Sequence, residues 1–154
     1  MKLIVFCFTL VLTSMVFANG ENFTLEEHWY TQPVDHSEVD GETFQQQFLT
    51  LKPADLQSDY KVFFILGNES DSTASKLKDM YRAYGSPDDM VFIFSEHRGY
   101  GQSITAGAQT KPDYVSVDQA LTDYHRLIEH LKPQHPVPWI AAGYSYGGAL
   151  VINF

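Results

Sequence analysis

Apolar residues follow two periods along this chain, and the order in which those periods alternate predicts its architecture. Glu27 to Val34 and Phe44 to Leu51 are short, aromatic-rich or alternating segments separated by the turn pair Asp40-Gly41, and they read as an antiparallel pair of strands. Lys61 to Leu66 (KVFFIL) is a nearly unbroken apolar run, the pattern of a strand buried on both faces. Between Ser72 and Tyr84, the residues Leu77, Met80, Tyr81 and Tyr84 fall at helical spacing until Gly85 and Pro87 stop the pattern. Met90 to Phe94 (MVFIF) reads as a second buried strand, followed by a Gly-rich loop from Arg98 to Gly107. Ser116 and Gln119 form a capping box ahead of the strongest amphipathic stretch. There Val117, Leu121, Tyr124, Ile128 and Leu131 make one apolar stripe that Pro133 ends. Val137 to Ala142 is a third apolar strand. It runs directly into Gly143-Tyr144-Ser145-Tyr146-Gly147-Gly148 and the start of an apolar helix.

Strand, helix, strand, helix, strand, sharp turn, helix is the order of a parallel α/β sheet, here with antiparallel strands in front. At 154 residues the chain has room for one domain. The last strand is laid down but its covering helix has made only two turns by Phe154, which leaves apolar surface exposed. The expectation is therefore that residues 19–154 are the N-terminal part of a larger α/β-hydrolase domain, truncated after the nucleophile elbow and poorly soluble alone.

The first 18 residues read as a secretory leader: Lys2, an apolar run from Leu3 to Leu12, then small residues at Val16 and Ala18 that place a cut before Asn19. The run is too short for a membrane span and ends in Thr13 and Ser14. Cleavage removes Cys7, the only cysteine, so residues 19–154 carry no disulfide. It also removes Lys2, leaving nine basic groups against 19 acidic ones. That balance argues against nucleic acid and against an anionic membrane as partners, and it suits a protein working at low pH. Asn22-Phe23-Thr24 is a glycosylation sequon just after the cut, with Asn22 the expected acceptor. A second sequon, Asn68-Glu69-Ser70, sits where a bulky glycan is less expected.

Gly143-Tyr144-Ser145-Tyr146-Gly147 is G-x-S-x-G, and its chemistry needs this spacing for a geometric reason. The serine must stand on a tight, strained turn so that its hydroxyl projects above the sheet edge. Glycines on either side let strand and helix backbones approach. The turn also puts Ser145 at a helix N-terminus, where the backbone N–H of Tyr146 points at the oxygen that becomes negative during acyl transfer. Composition alone gives about 0.05 such matches in a chain this long. The strand before and helix after are the context of a nucleophile elbow in an α/β-hydrolase fold. A phosphate loop would carry Lys-Ser/Thr after the glycines, and here Ala149-Leu150 follows. In this fold the order is Ser, acid, His, yet no Asp, Glu or His follows Ser145. The base and its carboxylate are expected beyond Phe154. His36 and His97 precede the serine, as in unrelated β-barrel enzymes, and are read as structural or surface groups.

Several further motifs resemble one family in the right order. His28-Trp29-Tyr30, Pro33-Val34-Asp35-His36 and Thr43-Phe44-Gln45-Gln46-Gln47-Phe48 look like the opening segment of the serine peptidases that include lysosomal Pro-Xaa carboxypeptidase, dipeptidyl-peptidase II and thymus-specific serine protease. Gly67-Asn68-Glu69 is similar to that family's G-N-E turn, and Glu96-His97-Arg98-Gly99-Tyr100-Gly101-Gln102-Ser103 to its E-H-R-x-Y-G-x-S motif. Tyr114 to Lys132 resembles its following helix, and Gly143 to Gly148 its G-x-S-Y-G-G elbow. Ser70 stands where the family usually has a glycine after G-N-E, and it creates the sequon at Asn68. The resemblance implies an exopeptidase cutting near proline in acidic compartments of the secretory pathway, secreted or lysosomal. A helical domain is inserted later in such chains. Ser145 is the nucleophile.

Gly67-Asn68, at the carboxyl end of a central strand, is the natural place for a second oxyanion donor, a backbone N–H. Tyr144 and Tyr146 are candidate pocket walls, although aromatics there also suit packing. Glu96 and Arg98 follow a strand end and are expected to form a buried salt bridge holding the loop. The implied partner is a peptide, with no nucleic acid, no membrane once the leader is gone, no metal and no other cofactor; a homodimer at full length is compatible. Two other readings stand beside the peptidase. One is a lipase or esterase of the same fold, although Gly-Asn-Glu stands where many of these carry an H-G-G-G motif. The other is a truncated, non-catalytic secreted binding protein, which the missing acid and base favour.

Overall fold

The structure, a computed structural model, describes residues 22–38, 40–104 and 114–154, together with the backbone of residues 14–16. Most of the expected leader, its cut site and the end of the Gly-rich loop lie outside the described residues. Six strands form one mixed sheet: β1 (Ser14–Val16), β2 (Phe23–Pro33), β3 (Thr43–Pro53), β4 (Lys61–Leu66), β5 (Met90–Ser95) and β6 (Trp139–Ala142). Among the described residues three α-helices accompany it: α1 (Ala74–Ala83), α2 (Val117–Leu131) and α3 (Tyr146–Asn153). The strand order is β1-β2-β3-β5-β4-β6. β2 and β3 pair antiparallel from Phe23↔Pro53 to Pro33↔Thr43, and β3 runs antiparallel to β5. β4 is parallel to both β5 and β6. β1 lies within the expected leader and pairs with β2, so cleavage before Asn19 would make β2 the sheet edge.

The strands alternate their side chains between two apolar layers, as a period of two demands. Phe63, Ile65, Phe92 and Phe94 face α1, which contributes Leu77 and Tyr81. Phe48, Val62, Phe64, Leu66, Val91 and Ile93 face the other way, onto α2 and Leu150 of α3. β4 and β5 are therefore buried on both faces, which explains their unbroken apolar sequence. The chain leaves β4 toward β5 through α1, then returns past β4 to β6 through α2. Strand order reverses at β4, so the crevice above the carboxyl ends of β4 and β6 is a topological switch point.

Several boundaries differ from the sequence reading, each for a local reason. The strands of the predicted antiparallel pair, β2 and β3, are longer, at 11 residues each, because Phe23 and Leu25 in β2 and Pro53 in β3 extend the buried alternation outward. α1 starts two residues late: Thr73 is its cap, accepting from the Lys76 N–H at 3.3 Å, while the Ser72 N–H is bound elsewhere. β6 is shorter, since Pro138 lacks an N–H, although its carbonyl still accepts from Val62. Ser116 caps α2, but the capping box forms only half. The Gln119 side chain is diverted to the β2–β3 turn, where it accepts from the His36 N–H and donates to Asp35. The buried stripe of α2 is also rotated: Ala120, Asp123 and Leu127 are buried beside Tyr124, Ile128 and Leu131, while Val117 is 40% exposed. A carboxylate inside that stripe is the feature that leads to the site. Among the described residues no helix is long and apolar enough to cross a membrane.

Candidate active site

Register brings the candidate residues together. Leu66 pairs with Ser95 and Ile65 with Ala142, so the next residues along, Gly67, Glu96 and Gly143, leave the sheet side by side. The turn after β6 is very tight. A Cβ on Gly143 would collide with the carbonyl of Gly147, and one on Gly147 with the carbonyl oxygen of Leu66. Glycine is required at both positions because helix backbone rests on strand backbone. Between them Ser145 sits at φ 54°, ψ −131°, one of two non-glycine residues with positive φ among the described residues. Such a conformation costs about 1–3 kcal/mol and persists where surrounding structure enforces it. Ser145 is exposed and its side chain makes no capping bond to α3. The residue stands clear of the core on a strained turn between β6 and α3.

Tyr146 opens α3, so its N–H has no intrahelical carbonyl and is available to an anion beside Ser145. Gly67 is buried at the end of β4, 3.1 Å from the position a Gly147 Cβ would take, and its carbonyl accepts from the Tyr124 hydroxyl at 3.3 Å. Asn68 is half-buried and its Oδ1 accepts from Ser70 Oγ at 2.6 Å. The residue that departs from the expected family pattern thus engages the oxygen of the Asn68 side chain. The Tyr146 ring lies 5.5 Å from that of His97. Burial, then the nearby Glu69 carboxylate and Tyr100, push its hydroxyl pKa up. Tyr144 is 41% exposed on the rim.

Glu96 and Arg98 are both fully buried, but they do not pair with each other, which corrects the expected salt bridge. Past Ser95 the chain leaves the strand and turns at Arg98, so the two side chains do not share a face as they would in a strand, and each finds a different partner. Arg98 meets Asp123 of α2, Nε to Oδ2 at 2.6 Å and a terminal nitrogen to Oδ1 at 2.7 Å. It also donates to the carbonyls of Pro33, Val34 and Tyr114, between the rings of Phe44 and Tyr114. Glu96 accepts from the N–H groups of Ser72 (2.7 Å), Gln102 (2.8 Å) and Ser103 (2.9 Å) and from Ser103 Oγ (2.8 Å). Burial raises its pKa against the pull of those donors.

Neither upstream histidine is placed as a base. His36 Nε2 lies 2.7 Å from Asp123 Oδ1 and 3.1 Å from Arg98, within the buried network. His97 is 1% exposed, with Nδ1 2.6 Å from the Arg98 carbonyl and Nε2 sealed without a partner; burial lowers its pKa. Sequence reasoning missed Asp123, Tyr124, Ser72 and Ser103. Asp123 carried a signal, a charge at helical spacing between Ala120 and Leu127, and Ser103 closes the E-H-R-x-Y-G-x-S motif.

The comparisons with known proteins agree with this geometry. A sequence profile described as "Serine carboxypeptidase S28" matches residues 32–154, from the β2–β3 network through the elbow. The chain belongs to the serine carboxypeptidase S28 family. Among similar S28-type sequences, the lysosomal Pro-X carboxypeptidase of Pongo abelii is 32% identical over 148 residues, 82% of this chain and 28% of that protein. The human protein of the same name is 31% identical with the same coverage. The prolyl tri/tetrapeptidyl aminopeptidase of Streptomyces mobaraensis is 31% identical over 81% of the chain and 24% of its own length. The chain thus spans about a quarter of the curated relatives it matches. Solved structures show the α/β-hydrolase fold. A putative dipeptidyl aminopeptidase IV from Bacteroides ovatus has a TM-score of 0.62 at 14% identity, covering 86% of this chain and 19% of that one. Candida antarctica lipase A has a TM-score of 0.55 at 15% identity, covering 94% and 36%.

Proposed function

We propose that this chain carries the nucleophile and both oxyanion donors of a serine exopeptidase that cleaves peptides next to proline through an acyl-enzyme on Ser145. The observation that carries the reading is the exposed Ser145 hydroxyl at a positive-φ elbow, held against the end of β4 by Gly147. In the proposed step Ser145 Oγ attacks the scissile carbonyl and its proton passes to a histidine base. The amine leaves with that proton and water later hydrolyses the ester. The oxyanion formed at each addition takes hydrogen bonds from the Tyr146 N–H and a backbone N–H of Gly67-Asn68. The histidine and its carboxylate are left unassigned among these residues, and the chain spans only about a quarter of the curated relatives it matches. Proline as the specificity element rests on two relatives whose names share it while differing in the end they trim.

Entry to the secretory pathway, with lysosomal or extracellular delivery, is part of the proposal. It rests on the leader pattern, the Asn22 sequon and the lysosomal name of several relatives. A fluorophosphonate probe tests the chemistry: the protein isolated from expressing cells becomes labelled, and Ser145→Ala abolishes the label. Labelling that survives the substitution, or none in the parent, removes the reading.

A further inference from the structure

Glu96 is a fully buried carboxylate with no cation against it among the described residues, an arrangement that costs several kcal/mol unless neutral donors satisfy the charge. Its four donors come from two different loops. Ser72 belongs to the loop after β4, which begins with Gly67-Asn68; Gln102 and Ser103 belong to the loop after β5. The second loop is shaped to the carboxylate, since Gly101 holds φ 54° and a Cβ there would collide with Glu96 Oε1. Ser103 passes the restraint on to β3, where its Oγ accepts from the Gln47 N–H at 2.9 Å.

The loop after β4 has few other restraints. Gly67 is wedged at its root, where a Cβ would lie 2.6 Å from the His97 nitrogen and the Ser95 carbonyl. Beyond it, Ser70 and Asp71 are held by Lys76, largely at the surface. The bond from Ser72 to Glu96 is the buried, charge-assisted one, and bonds of that kind are about twice as strong as neutral ones.

We infer that Glu96 is a positioning residue for acyl transfer: its carboxylate locks the loop after β4 to the loop after β5 and so fixes the Gly67-Asn68 backbone that faces the reacting oxygen. The inference rests on the function proposed above. A carboxylate serves here because every partner is a donor, and a glutamine would turn an NH2 group toward one of them.

Phosphonylation kinetics provide the test, because the phosphonyl oxygen occupies the position of the oxyanion. In the protein isolated from expressing cells, Glu96→Gln is expected to lower the maximal rate of fluorophosphonate labelling by about 10²-fold with the probe's half-saturating concentration unchanged. Amide exchange over residues 67–73 is expected to quicken. Ser103→Ala, which removes one of the four bonds, lowers the same rate by less and keeps the test open should Glu96→Gln not fold. An unchanged maximal rate in either folded variant overturns the inference while leaving the nucleophile standing. A parent that takes no label at Ser145 defeats the functional reading and this inference with it.

Discussion

Arg98 and Asp123 face each other as a fully buried bidentate ion pair, joining the loop after β5 to the middle of α2. Asp123 also meets His36, and its carbonyl accepts from Gln32, which in turn binds Gln46 of β3. One polar network therefore ties the β2–β3 hairpin to the helix that packs behind the nucleophile strand. Removing one partner leaves a buried charge with no counterion. Asp123→Ala is expected to lower stability by about 3–5 kcal/mol, read as a shift in the denaturant midpoint.

Replacing both partners with apolar residues often restores stability at buried ion pairs. Here it should not. Arg98 also serves the carbonyls of Pro33, Val34 and Tyr114, and each unsatisfied buried group costs about 1–3 kcal/mol. The double substitution Arg98→Met, Asp123→Leu is expected to remain well below the parent in stability. Recovery to the parent midpoint would show that the carbonyl contacts matter little.

The elbow depends on backbone contact between α3 and β4. Gly147→Ala places a methyl group against the Leu66 carbonyl, and the clash is with backbone that has no rotamer to yield. The substitution is expected to cost about 1–3 kcal/mol or more. It should also move Ser145 away from Gly67, so labelling by a fluorophosphonate falls by more than the loss of folded protein. Gly148→Ala is the comparison, since a Cβ there meets its nearest atom at 3.2 Å and needs only a small adjustment.

Much of this arrangement was legible in the sequence because it is written in local patterns. The apolar runs of β4 and β5 and the glycines around Ser145 each answer to a constraint that acts within a few residues. The partners of Glu96 and Arg98 were not legible. Ser72 is 24 residues from Glu96 and Asp123 is 25 from Arg98; Gln102 and Ser103 are only six and seven from Glu96, but nothing in the local pattern distinguishes a pair facing each other from two groups facing opposite sides of the loop. The rotated stripe of α2 failed for the same reason. Val117 and Leu121 satisfied the helical period, but burial of Asp123 against Arg98 turned the helix toward Ala120 and Leu127.

Asn22 is exposed, and its amide nitrogen donates only to Asp55 on the surface, at 3.0 Å. A glycan at this position projects into solvent next to the start of β2, whereas Asn68 is half-buried and its side-chain oxygen is held by Ser70. Asn22→Gln is therefore expected to abolish an endoglycosidase-sensitive mobility shift in the protein secreted from eukaryotic cells, and Asn68→Gln to leave it unchanged. A shift that follows Asn68 instead would reverse the assignment.

Acid should weaken the folded state through its buried imidazoles. Burial lowers the pKa of His97, His28 and His135 below the ordinary 6.5. The fields on them differ. His97 feels Asp123 and Glu69 against Arg98, His28 feels Glu26 and Glu27, and His135 feels Lys52. In each case the unfolded chain takes up a proton first as pH falls. The stability these groups lend is whole above 6.5 and is lost as pH drops from there through each lowered folded value. Glu96 works in the opposite sense: its raised pKa gives a contribution that is full below the ordinary 4.5 and fades as pH rises through the folded value. The net expectation is a melting temperature that declines just below pH 6.5 and levels off as Glu96 protonates. His97 is the most deeply buried of the three, so His97→Asn should flatten that decline more than His28→Asn or His135→Asn. An equally steep decline in His97→Asn would mean that the imidazole beneath Tyr146 takes up its proton as readily in the folded state as in the unfolded one.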